Sequence, residues 1–221
     1  MKAEVNGRQI ELEPNSKPYL LKRLIADGFD TVLIFLLFSL AVTLLMKTPL
    51  ARAYHENMES CRAIESAAVE RYGGDAEEIS RALSENDEYS MKRLAANLHA
   101  YLIKAGAGFA AELLILLAVP LMNPGRETPG KLMCGIMPFN EKRHSRVTAA
   151  QIIYRFVFVF LIDSLLLYLV TGVLTFLLVP LLRLTEMLLN GKKNKTLCDL
   201  ITGVTIIEKL SYDGINKLRG G

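Results

Sequence analysis

Arg23-Leu24-Ile25-Ala26-Asp27-Gly28-Phe29-Asp30 runs without a break into the apolar residues 31–46. An arginine and two aspartates thus open what is otherwise a long apolar helix. At about 100° per residue, Arg23, Asp27 and Asp30 fall on one helical face, which turns apolar at Ile34. A charge inside hydrocarbon costs roughly 2.5–3.5 kcal/mol on insertion scales. Three on one stripe must therefore meet partners or water within the molecule.

Working outward, the chain has two further apolar runs of this kind, residues 106–122 and 156–184. A chain that is 51% hydrophobic and 22% charged could be soluble, but not with its apolar residues collected into runs of spanning length. The last run would extend about 50 Å as a single helix, against a hydrocarbon core of about 30 Å, so a hairpin broken at Thr171-Gly172 is expected. Ala51-Arg52-Ala53 imitates a leader cleavage site, but the region before it is too long and too acidic for one, and a retained span is expected.

Charge sets the number of spans. With four, residues 1–23, 123–147 and 190–221 share one side and carry 16 Lys/Arg, while 47–104 lies opposite with 8 Lys/Arg and 10 Asp/Glu. The positive-inside rule then puts both termini in the cytoplasm. Three spans would put Lys192, Lys193 and Lys195 outside, against that rule. The expected layout is a polar segment 1–18, spans at 19–46, 105–122, 148–170 and 171–190, an extracytoplasmic insert 47–104, a cytoplasmic loop 123–147 and a cytoplasmic tail 191–221. The fold class is an all-α membrane protein with four transmembrane helices.

Residues 4–10 have the pattern of a short Asn-Gly hairpin, ended by Pro14 and Pro18 before a helix from about Tyr19. In the insert, Leu50, Tyr54, Cys61, Ile64, Ala68 and Tyr72 keep helical spacing up to Gly73-Gly74. Asp75 with Glu78 marks a second helix start, and a third amphipathic helix through Leu94, Leu98 and Tyr101 runs on into the second span. Thr148 with Gln151 has the capping-box spacing that opens the third span.

Two loop segments look alike. Thr128-Pro129-Gly130-Lys131-Leu132-Met133-Cys134-Gly135-Ile136 and Thr196-Leu197-Cys198-Asp199-Leu200-Ile201-Thr202-Gly203-Val204 both place Thr first, Leu fifth, Gly eighth and a β-branched residue ninth. Each is expected to form a turn of helix and then a strand, residues 135–139 and 203–208. The two strands would pair in a small cytoplasmic β-ribbon.

These pieces together resemble the RDD family of bacterial inner-membrane proteins, named for one arginine and two aspartates. Arg23-x-x-Ala26-x-x-x-Asp30 is similar to its opening motif, and Thr128-Pro129-Gly130-Lys131 with Gly135 to its central element. Gln151-x-x-x-Arg155 is similar to its next helix start, and Thr196-Leu197-Cys198-Asp199-x-x-x-Gly203 to its closing motif, where Cys198 stands in the place of a usual His. The resemblance covers 23–46 and 106–207 and implies the architecture above. It also implies a transport role, including cation/proton exchange in some members.

The ionisable residues within or beside the spans are the candidate transport groups: Arg23, Asp27, Asp30, Glu112, Arg155, Asp163 and Asp199. A structural alternative has Arg23 or Arg155 neutralising Asp30 to fix helix packing, with Asp27 solvated nearer the interface. Glu112 has no like-for-like partner in the sequence. Pro120 and Pro180 free the carbonyls of Leu116 and Phe176, for which a simple kink is the expectation. Lys131, Lys142, Arg143 and Arg146 are candidate contacts to lipid phosphate, with pairing to Asp199 the alternative for Lys131.

Other chemistries are argued against. Residues 125–131 satisfy G-x-x-x-x-G-K, but Leu132 replaces the Ser/Thr that would hold magnesium, and an apolar helix, not a strand, precedes the loop. His55 and His99 are too few for a metal centre. Cys61, Cys134 and Cys198 suggest no disulfide framework. No nucleophile–base constellation points to an enzyme, no cofactor is implied, and nucleic acid is not an expected partner. The expected partners are membrane lipids, a second copy of the chain (a dimer), and an extracytoplasmic protein at the insert.

Overall fold

Ala26 of the first helix has no exposed surface, because the turn that follows the second apolar helix presses against it. The computed structural model describes residues 2–5, 8–11, 17–140, 143, 145–161, 174–190 and 195–208. Contacts divide the chain into two units, 1–36 with 111–221 and 37–110. The second is wider at both ends than the insert expected at 47–104.

The first unit begins with an antiparallel pair, β1 (Lys2–Val5) and β2 (Arg8–Glu11), where a hairpin is expected. The Asn6-Gly7 turn lies outside the described residues. Helix α1 (Lys17–Leu45) starts before Tyr19 and takes Pro18 into its first turn. Proline is tolerated there because the first helical N–H groups have no intrahelical acceptor, so Pro18 opens the helix where the sequence reading had it end the segment before.

The second unit takes the rest of α1 and adds α2 (Pro49–Tyr72), α3 (Ala76–Ser84) and most of α4 (Asp87–Glu112). Helix α2 stops before Gly73-Gly74, and the Asp75 carboxylate accepts the Glu77 and Glu78 N–H groups at the start of α3. Phe38, Ala51, Cys61, Ala68, Tyr89, Ala96, Ile103 and Ala107 are its buried apolar residues. The Tyr89 hydroxyl donates to Glu65 at 2.7 Å and accepts from Arg93 at 2.7 Å, tying α4 to α2.

Helix α4 runs on through a π-helical segment, Leu113–Ala118, into α5 (Val119–Met122). Pro120 lacks the N–H that would close the α-ladder, and the wider turn falls just ahead of it. The change at this proline is thus a π segment. Two helical stretches among the described residues are long and apolar enough to cross a membrane, Leu20–Leu45 and Asp87–Met122; Ala149–Leu161 is a shorter apolar helix. The 36 residues of the second would extend about 54 Å, more than a hydrocarbon core of about 30 Å requires.

The two similar loop segments do form a turn of helix and a strand each. They give α6 (Pro129–Met133) with β3 (Ile136–Asn140), and a helix Leu197–Thr202 with β5 (Val204–Glu208). Gly135 and Gly203 both sit at positive φ, +65° and +63°, the left-handed turn that only glycine adopts freely. The strands pair antiparallel with Pro138 opposite Ile206, the eleventh residue of each segment. The two segments are therefore related by a local pseudo-two-fold axis. A further strand, β4 (Ser145–Arg146), joins the other edge of β3 and makes the ribbon three-stranded.

Helix α7 (Ala149–Phe158) opens with a complete capping box between Thr148 and Gln151. Helix α8 (Thr175–Leu189) follows, and the Leu197–Thr202 helix is α9. The break expected at Thr171-Gly172, and Asp163 with it, lies outside the described residues. Val147, Ile152 and Val204 form one buried cluster with Leu117 and Leu121 against it, and Ala26, Ile136 and Ile206 form another. Both clusters anchor the sheet to the apolar helices.

Candidate functional site

The site is assembled on the first turns of α1. Thr128 begins α6 in extended backbone, Pro129 follows with no N–H to satisfy, and the Gly130 N–H is the first donor that needs an acceptor. Asp30 supplies it from another helix: its Oδ1 accepts the Gly130 N–H at 2.7 Å and its Oδ2 the Thr128 hydroxyl at 2.5 Å. Lys131 then places Nζ 3.2 Å from Asp27 Oδ1 and 3.8 Å from Asp30 Oδ2. A Cβ on Gly130 would lie 2.0 Å from the Ala26 carbonyl oxygen, so only glycine lets the loop approach α1 this closely.

The second segment docks with the charges reversed. Thr196 and Asp199 form a capping box at the start of α9, the Asp199 N–H donating to the Thr196 hydroxyl at 3.3 Å and the Thr196 N–H to Asp199 Oδ2 at 3.1 Å. The same carboxylate pairs with Arg23 through Oδ2 and with Arg155 Nη1 through Oδ1 at 2.5 Å. Position four of one segment is thus a cation held by Asp27 and Asp30, and position four of the other an anion held by Arg23 and Arg155. Arg23 and Asp30 are each 2% exposed, Asp27 6%, Lys131 8% and Asp199 0%.

Buried charges of this kind persist only when paired. Burial opposes ionisation of Asp199, yet the guanidiniums of Arg23 and Arg155 outweigh it and hold the carboxyl well below the usual carboxylate range. Burial pushes the Cys134 thiol up, and the nearby Asp30 and Asp27 carboxylates add to the rise.

The pairing corrects several expectations. Arg23 and Arg155 hold Asp199, and the cation at Asp30 is Lys131. Asp27 is buried against Lys131 and not solvated at an interface. Lys131 is buried among carboxylates of α1 and pairs with Asp27 and Asp30, not with Asp199. Arg143 and Arg146 are exposed, the latter donating to the Pro124 carbonyl at 3.2 Å, and Lys142 lies outside the described residues. Glu112 is buried at the start of the π segment, one turn before Leu116. Among the described residues no group of His, Cys, Asp and Glu has the arrangement of a metal site.

Beside the network lies a cavity of about 70 Å³ whose wall includes Leu116, Pro120, Ile152, Phe156 and Val159. Among the described residues its charged wall is Arg23, Arg126, Lys131, Arg155 and Arg183, with Asp27 as the one carboxylate. Cys198 also lines it, its thiol 3.9 Å from the Arg155 carbonyl. The reading of the sequence gave no role to Arg126 or Arg183. One carried a rejected phosphate-loop pattern and the other sat in an apolar run, and neither setting reveals a shared cavity. It missed Glu127 as well, which is fully buried with Asn123 Nδ2 3.3 Å from its carboxylate.

Two apolar helices of spanning length, the first of them carrying the buried charges Arg23, Asp27 and Asp30, are features of a helical membrane protein, and the family match supports that class. The RDD family profile matches residues 17–203, most of the chain. The chain belongs to the RDD family, and the matched region includes the insert that the motifs alone leave out. No curated protein and no solved structure matches it.

Proposed function

We propose that this chain is a four-span inner-membrane transporter that passes a small solute through the cavity beside α1. The ion pairs hold its walls and do not themselves ferry a cation. One observation carries this reading: a cavity between apolar helices with five cationic side chains on its wall. Intramembrane ionisable groups are functional by default. Here the three carboxylates on α1 and α9 already have cationic partners at contact distance, which favours a solute over a free proton or metal cation as cargo. The basic excess of the loops supports both termini in the cytoplasm, with the insert opposite. Four helices enclose little volume, so a homodimer completes the pathway.

Proteoliposomes test it. Loaded vesicles containing the chain should exchange a labelled solute faster than empty ones, and Val159→Trp, which fills the cavity, should abolish the difference. Equal exchange with and without protein across anionic and neutral solutes would remove transport.

A second reading has its own support. Met91, Leu94 and Leu98 are 67%, 65% and 55% exposed on the part of α4 ahead of its most apolar stretch. Apolar side chains exposed there fit a scaffold or accessory subunit that docks a protein through the insert. Deleting residues 50–100 should then abolish partner binding while leaving any flux unchanged.

A further inference from the structure

We infer that the arginine-lined cavity binds a phosphate group, an inference that rests on the cavity being the functional site. Its wall brings Arg23, Arg126, Lys131, Arg155 and Arg183 together, with Asp27 the single lining carboxylate among the described residues. Arg23 and Arg155 are held by Asp199 and Lys131 by Asp27 and Asp30, and Arg126 and Arg183 add two further guanidiniums to the same wall. The guanidinium fork matches the geometry of an oxyanion.

A second observation is independent of the charge count. Arg126 is the one non-glycine residue with positive φ among the described residues, at 59°. Its N–H donates to the Asn123 carbonyl at 2.9 Å, Gly125 N–H donates to the Asn123 side chain at 3.0 Å, and its own Nη1 donates to the Leu121 carbonyl at 2.5 Å. A bulky residue held in the left-handed region costs about 1–3 kcal/mol and persists where its placement matters. What that placement accomplishes is an arginine on the cavity wall.

Size and position agree. About 70 Å³ exceeds the volume that one water needs and suits a small oxyanion. Part of the polar wall, Arg23, Arg126 and Lys131, comes from the start of α1 and from the 123–147 segment that the charge distribution assigns to the cytoplasmic side, and Arg155 and Arg183 add to it from α7 and α8. The same chemistry takes inorganic phosphate or the headgroup of an anionic lipid.

Titration of the delipidated full-length protein in detergent with inorganic phosphate, beside binding to vesicles of phosphatidylglycerol or phosphatidylcholine, separates the sources. Saturable phosphate binding assigns the site to a soluble oxyanion. Binding only to phosphatidylglycerol vesicles assigns it to a headgroup. In either case Arg126→Gln and Arg183→Gln should each weaken binding at least tenfold with unchanged thermal unfolding, and Arg183→Lys should restore part of it. Absence of both forms of binding in the wild-type chain, or binding that neither Gln variant alters, overturns the inference. Binding without flux in the proteoliposome assay would keep the site and remove the transporter.

Discussion

Asp30 caps a helix to which it does not belong: its Oδ1 lies 2.7 Å from the Gly130 N–H at the start of α6, a hundred residues along the chain. A capping residue ordinarily precedes its own helix. Here Thr128 holds the capping position, but its hydroxyl donates to Asp30, and the carboxylate of α1 takes the free backbone donor. One aspartate thereby fixes the loop to α1 and helps to neutralise Lys131.

Asp30→Ala should therefore destabilise the protein by about 3–5 kcal/mol, the cost of breaking a buried pair. Asp30→Asn keeps an acceptor for the Gly130 N–H and should lose less. Chemical unfolding in detergent orders wild type, Asn and Ala in that sequence. An Asn variant as unstable as Ala would show that the charge alone matters and that the cap does not.

Gly130→Ala tests the close approach without touching any charge. Its Cβ would meet the Ala26 carbonyl, a backbone atom that cannot swing aside as a flexible side chain would. Overpacking of this kind costs about 1–3 kcal/mol. Gly28→Ala, on α1 beside Ala26 with open space around the new atom, should cost nothing by this route. Equal thermal unfolding of the two variants would contradict the packing described.

Much of this was legible in the sequence. The stripe Arg23, Asp27, Asp30 is written at helical spacing, and the two similar loop segments foretold both the helix–strand units and the pairing of their strands. The pairing partners were not legible. Lys131 and Asp199 hold equivalent positions in the two segments, which invites pairing them with each other, yet each docks on α1. The local two-fold axis through Pro138 and Ile206 sets them on different charges of that helix, and a one-dimensional pattern does not contain that geometry. The cavity was hidden for the same reason, since Arg126 and Arg183 meet only in the folded chain.

Asp199 should make stability depend on pH in a defined window. Its folded-state ionisation lies below the ordinary value of 3.8, so its contribution is complete above about pH 5 and is lost as the pH falls through 3.8 toward the folded value. Asp199→Asn abolishes that contribution, leaving Arg23 and Arg155 against a neutral amide at a cost of about 3–5 kcal/mol at neutral pH. The stability gap between wild type and variant, followed by denaturant unfolding from pH 7 to pH 3, should stay constant and then narrow. A gap that widens on acidification would reverse the sign and contradict the pairing.

Cys134 reports on the same network through its reactivity. Only the thiolate is alkylated, so a thiol raised by burial and by the fields of Asp30 and Asp27 reacts slowly near neutral pH. In a background carrying Cys61→Ser and Cys198→Ser, Cys134 should be alkylated by iodoacetamide more slowly at pH 8 than a small free thiol. Asp27→Asn and Asp30→Asn should each accelerate it severalfold by removing a negative charge, while the part due to burial remains. The pH–rate profile separates the causes: loss of a carboxylate field moves the midpoint down and leaves the limiting rate at high pH unchanged, whereas opening of the loop raises that limit. A midpoint that does not move in either variant would mean that the α1 carboxylates exert no field at Cys134.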